Sequence, residues 1–95
     1  MRSLNSVDLK SIELTWDTPT EREDGSPLYP DEIMGYVIEY GENEDSLENS
    51  RMVERQFENS LVLSSLRTSQ LFLRIATLDS DNNQGKFSDI ISVSL

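Results

Sequence analysis

Ninety-five residues make one domain, and 18 acidic against 8 basic residues give a net charge of −10, which disfavours nucleic acid and anionic membrane surfaces because both need a basic face. With no cysteine and no histidine, the chain cannot build a disulfide, a thiolate or imidazole metal site, or a histidine-dependent catalytic triad. Apolar residues make up 36% and charged residues 27%, and no run approaches the ~20 apolar residues of a membrane span, so the composition is that of a soluble, ordered module. Met1 to Lys10 has no apolar stretch of the signal-peptide kind.

The hydrophobic period is two, the period of strands. A weak first strand is expected around Ser3 to Val7. In SIELTWD, residues Ile12, Leu14 and Trp16 alternate with Glu13, Thr15 and Asp17, and Pro19 then ends the run because it cannot donate to a ladder. PTEREDGSPLYPDE is a long polar connection built on Asp24-Gly25, Pro27 and Pro30. MGYVIEYG follows, with Tyr36, Ile38 and Tyr40 on one face and Val37 and Glu39 on the other. The acidic, turn-rich ENEDSLENS leads into RMVERQF, a charged run suited to a sheet edge. SLVLSSL places Leu61 and Leu63 on one face, with Leu66 closing it.

QLFLRIATLD is the most apolar strand, with Leu71, Leu73, Ile75 and Thr77 on one face and Phe72, Arg74, Ala76 and Leu78 on the other. Arg74 implies that the second face is partly wet. KFSDIISVSL closes the chain as a last strand. Seven strands with turn signals between them predict an all-β chain, a seven-stranded antiparallel β-sandwich occupying residues 1–95 as a single domain. Its expected core is Ile12, Leu14, Trp16, Tyr36, Ile38, Tyr40, Leu61, Leu63, Leu73 and Ile75.

Candidate chemistry concentrates in LDSDNNQGKFSD, where Asp79, Asp81 and Asn83 recur at every second position. A calcium loop of the helix–loop–helix type needs glycine at its sixth position and glutamate at its twelfth; counted from Asp79 these are Gln84 and Ile90. The residues suit a strand-to-strand turn better, and no metal or cofactor is expected. The acidic runs Glu21, Glu23, Asp24 and Glu42, Glu44, Asp45, Glu48 fall in loops at opposite ends of one strand, so they read as solvated faces, with only Arg22 among the first group. Carboxylate pairs of the kind used in glycoside cleavage are abundant, but a small sandwich offers them no evident cleft, so no catalytic residue and no enzyme activity are expected. Trp16 and Tyr36 lie on strands and belong to the core. Tyr29, in the proline-flanked loop, is the better candidate for an exposed aromatic.

Several of these stretches together resemble a fibronectin type III domain over nearly the whole chain. LTWDTP resembles that family's second-strand motif, IMGYVIEYG its third strand, LVLSSL the segment before its E–F corner, and LFLRIATLDSDNNQGKFS its sixth strand, the following loop and the serine opening the seventh. The combination of EDGSPL with GYVIEYGENEDSLENS looks most like modules of bacterial secreted or cell-surface proteins. The resemblance implies an immunoglobulin-like sandwich with fibronectin type III topology. It also implies an extracellular or cell-surface setting and a monomeric, non-catalytic role as a spacer or weak binding unit beside neighbouring domains of a parent chain. The alternative it leaves open is a carbohydrate- or protein-binding accessory domain of a polysaccharide-degrading enzyme. Partner contacts to a protein or polysaccharide would fall on Tyr29, Asp81, Asn82, Asn83 and Gln84. Two departures stand out: Leu71 occupies the place of the family's corner tyrosine, and Ser80 to Gln84 contains no Arg-Gly-Asp.

Overall fold

Alternating apolar residues in this chain build six strands among the residues that the computed structural model describes, 9–54, 59–81 and 83–95. They are β1 (Lys10–Thr15), β2 (Ile33–Gly41), β3 (Asn49–Val53), β4 (Ser60–Leu66), β5 (Gln70–Asp79) and β6 (Ile91–Ser94), with one 3-10 turn at Pro30–Glu32 before β2. No α-helix occurs among the described residues. The expected first strand, Ser3 to Val7, lies outside them.

All pairings are antiparallel and form two sheets. One contains β1 and β4; the other has the order β3-β2-β5-β6. Cross-strand neighbours place Leu14 opposite Leu61 in the first sheet and Ile38 opposite Ile75 and Tyr40 opposite Leu73 in the second. The two sheets face each other through these side chains, as in a β-sandwich. Leu14, Trp16 and Leu61 pack on the buried group Leu28, Ile33, Tyr36, Ile38 and Val53, while Leu63 packs with Leu71 and Leu73. The Trp16 and Tyr36 rings meet edge to face at 5.1 Å, an arrangement that adds about 0.5–1.5 kcal/mol beyond the area buried.

Of the residues expected inside, Tyr36, Ile38, Leu63 and Leu73 are buried, whereas Ile12, Leu14, Trp16, Tyr40, Leu61 and Ile75 are half-buried. The reason is geometric. Two strands lie against four, so the smaller layer leaves its own inner face and part of the opposite one incompletely covered. Leu28, Ile33, Val53, Leu71, Ala76 and Leu78 complete the buried apolar set.

Two bulges explain inward positions that simple alternation misses. The register shift between Ile33 and Gly35 puts an extra residue, Met34, into β2, so Ile33 and Tyr36 both face inward although they are three apart. In β4 the shift falls at Ser64 and Ser65, and Ser65 takes a left-handed backbone angle, φ 59°. β3 begins two residues earlier than its charges suggest, at Asn49, and contributes a single buried residue, Val53. β6 is shorter than expected because its approach is irregular. Ser88 donates its N–H to the Ile75 carbonyl at 2.8 Å and accepts the Ile75 N–H on its hydroxyl at 3.0 Å. On the outer face of the four-stranded sheet, Arg74 ion-pairs with Glu39 at 2.6 Å and lies over the Phe87 ring, 4.2 Å from its centroid, in keeping with a partly wet face.

Candidate functional site

The connection from β1 to β2 and the connection from β5 to β6 meet at one end of the layered sheets. The first contains a miniature hairpin. Arg22 N–H donates to the Ser26 carbonyl at 2.8 Å, Gly25 N–H to the Arg22 carbonyl at 2.9 Å, and Leu28 N–H to the Thr20 carbonyl at 2.9 Å. Gly25 sits at φ 84°, which glycine adopts without steric cost, as a three-residue hairpin turn requires. Asp24 locks this turn by accepting the Ser26 hydroxyl at 2.6 Å and the Ser26 N–H at 2.9 Å. Those two donors, the hydroxyl foremost, hold the Asp24 carboxyl below its ordinary range.

The second connection is also a turn. Asp79 N–H donates to the Asn83 carbonyl at 3.0 Å, Gly85 N–H donates to the Thr77 carbonyl at 2.8 Å, and Leu78 bridges Gln84. The Asp79 carboxylate caps it: Oδ1 accepts the N–H groups of Asn83 at 2.8 Å and Asp81 at 3.0 Å, and Oδ2 accepts from Arg22 at 3.3 Å. These bonds, the Asn83 N–H first, hold the Asp79 carboxyl below the usual carboxylate range. The run of alternating acceptors is therefore the frame of a turn, with its central carboxylate already engaged on both oxygens.

Arg22 joins the two connections. Its guanidinium reaches Asp79 on one side and Glu32 on the other, and Glu32 raises its affinity for the proton. Glu32 in turn accepts the Tyr29 N–H at 3.2 Å, and its carbonyl accepts the Ser80 N–H at 2.8 Å. Across the cleft the Glu23 carboxylate accepts the Lys86 backbone N–H. A cleft of about 400 Å³ opens between these ties, with Arg22, Glu23, Asp24, Asp79, Asn83 and Lys86 among its walls. Its chemistry is polar and mostly acidic, with two cations, and it suits hydrogen-bonding and electrostatic contact with a partner.

Asn83 and Gln84 line this cleft, while Asp81 is exposed on the turn beside it. Asn82 lies outside the described residues. Tyr29 is 59% exposed on the neighbouring loop but does not line the cleft, so the aromatic and the turn residues are not brought into one pocket. Arg22, Glu32 and Lys86 are the organising residues that pattern reading missed. One signal pointed to the first of them: Arg22 is the lone cation in an acidic run. The acidic loop 42–48 lies at the far end of the nine-residue β2, as expected. Compared with known proteins, the chain matches no family model and no curated sequence.

Proposed function

We propose that this chain is a non-catalytic fibronectin type III module, a seven-stranded immunoglobulin-like sandwich that acts as a spacer or weak binding unit within a larger secreted or cell-surface protein. The observation that carries the reading is the pairing pattern. In immunoglobulin-like sandwiches the second and fifth strands share one sheet and the third, sixth and seventh share the other. Taking β1, β2, β4, β5 and β6 as the second, third, fifth, sixth and seventh strands reproduces both sets, with β3 added beside the third. The tryptophan of LTWDTP packs against the tyrosine of GYVIEYG, which supports the same alignment. The carboxylates at the loop end are committed to turn frames and ion pairs, and this favours a structural role over acid–base chemistry.

One observation favours the binding alternative, an accessory domain for a polysaccharide or protein. The two loop-end connections are tied together by Arg22 and Glu23, so they present a preorganised surface. The test is an amide NMR titration of the 95-residue chain with soluble polysaccharides and with a lysine-rich peptide. A spacer gives no saturable shifts at any site. A binding unit gives saturable shifts at Tyr29, Asp81, Asn83 and Gln84 that Arg22→Ala weakens. Saturable shifts confined to another face would overturn the loop-end assignment.

A further inference from the structure

The two layers leave an apolar groove on one side. It has a volume of about 310 Å³ and runs along the edge of β1 that has no partner among the described residues. Five consecutive β1 residues, Ile12 to Trp16, line it, so the strand presents its backbone edge to the groove as well as its inner side chains. The opposite wall is Ile38, Leu73, Ile75, Ile91 and Val93 from the four-stranded sheet. Ile91 there is 52% exposed, although its neighbours belong to the core. An edge with unpaired N–H and C=O groups beside an apolar trough is a template for one more strand.

We propose that this groove is the seat of the chain's own segment Ser3–Ser6, running antiparallel to β1. Length and position identify the occupant. Residues 1–8 end one residue before Lys10, where β1 begins, and at about 3.3 Å per residue they reach roughly 26 Å, more than the roughly 20 Å of six-residue β1. Parity then fixes the register. Ile12 and Leu14 face inward, and residues directly opposite them on an antiparallel neighbour face inward too. A three-residue turn, Val7 to Leu9, sets Leu4 opposite Ile12 and Ser6 opposite Lys10. A two-residue turn at Asp8 and Leu9 would set Asn5 opposite Ile12 and send Leu4 to solvent, so the three-residue form is the one that uses the segment's central apolar residue.

The seating also changes the path of the chain. Lys10 Nζ donates to the Leu95 carbonyl at 2.9 Å, so β1 starts at the end of the layers where β6 finishes. A strand antiparallel to β1 carries the preceding chain to the other end, beside the cleft, and the chain then crosses the module end to end. The inference rests on the layered fold alone, and this crossing is the path that a spacer needs.

The absence of cysteine lets a single nitroxide at Ser3→Cys report the position of the segment in the 95-residue chain. The expected result, in isotopically dilute samples, is amide broadening at Glu13 and Leu14 and across the groove at Ile91 to Val93, with Val62 on β4 unaffected. Leu4→Asp should speed hydrogen exchange of the β1 amides by about tenfold or more. Broadening that arises only when labelled chains are mixed with isotope-enriched ones would assign the seat to a second copy and overturn the proposal. Broadening at Leu95 without Glu13, or β1 exchange indifferent to Leu4→Asp, would overturn it as well. If Leu4→Asp fails to fold, the nitroxide result decides alone.

Discussion

Gly35→Ala tests whether β2 and β3 are as closely apposed as the fold requires. A Cβ at position 35 would lie 2.1 Å from the Val53 carbonyl oxygen and 3.0 Å from the Glu54 Cα, both backbone atoms that no rotamer change can withdraw. The end of β3 must therefore move. That movement breaks the pairing of Tyr36 with Val53 and lifts the Val53 side chain, 5% exposed, out of the group formed with Leu28, Ile33, Tyr36 and Ile38. Burying a valine contributes about 1.5–3 kcal/mol and a ladder hydrogen bond about 1 kcal/mol, so the expected cost is roughly 2–4 kcal/mol. Urea unfolding followed by Trp16 fluorescence measures it, since Trp16 packs on Tyr36 and reports the same core. Amide exchange should accelerate first in β3, from Asn49 to Val53. A change below about 0.5 kcal/mol with β3 exchange unaltered would show that the close approach is absent in solution.

Leu71→Tyr, which would restore the corner tyrosine of the resembled family, is expected to destabilise by about 1–3 kcal/mol in thermal or urea unfolding, because Leu71 is 1% exposed among Leu63, Leu73 and Val93 and a larger ring overfills that space. The family resemblance alone would have had the added hydroxyl stabilise the corner. Stability should fall with acid. Asp24 and Asp79 have carboxyls depressed in the folded state, so what they contribute is present above the unfolded value of about 3.9 and is lost as pH falls below it. A carboxyl-detected titration of Arg22→Ala should show Asp79 moving back toward that value, and an unmoved Asp79 would remove Arg22 from its environment. Calcium at ~0.15 M salt should produce small shifts spread over the acidic loops, with no saturable site at Asp79, Asp81 and Asn83, because calcium wants six to eight oxygens and the Asp79 oxygens are engaged. Saturable shifts confined to the turn and lost in Asp81→Asn would refute that reading.

Much of the layered arrangement was legible in the sequence, and the reason is local. Ile12, Leu14 and Trp16, or Tyr36, Ile38 and Tyr40, reveal their inner face through strict alternation, a property of six or seven adjacent residues. Ile33 was not legible, because its inward direction depends on a bulge that only pairing with β5 creates. Leu28 hides in a proline-flanked loop and becomes core only when that loop folds over the sheet ends. The candidate site was read in part for a similar reason. Asp81, Asn83 and Gln84 belong to a turn that composition suggests. The ties of Arg22 to Asp79 and of Glu23 to Lys86 join residues 57 and 63 positions apart, and nothing in either stretch specifies the other.

The bulge at Met34 separates what a position contributes from what its side chain contributes. Met34 is 46% exposed and touches no buried cluster, so its chemistry is free to vary. Its place in the count is not. It is the odd residue that lets Ile33 and Tyr36 share one face, and removing it would restore plain alternation through β2. Ile33 would then turn outward and the loop carrying Leu28, Tyr29 and Glu32 would swing with it, taking Arg22's anchor away from Asp79. A library of substitutions at position 34 should read as a neutral surface site, while the single deletion at that place should behave like a lesion in the core.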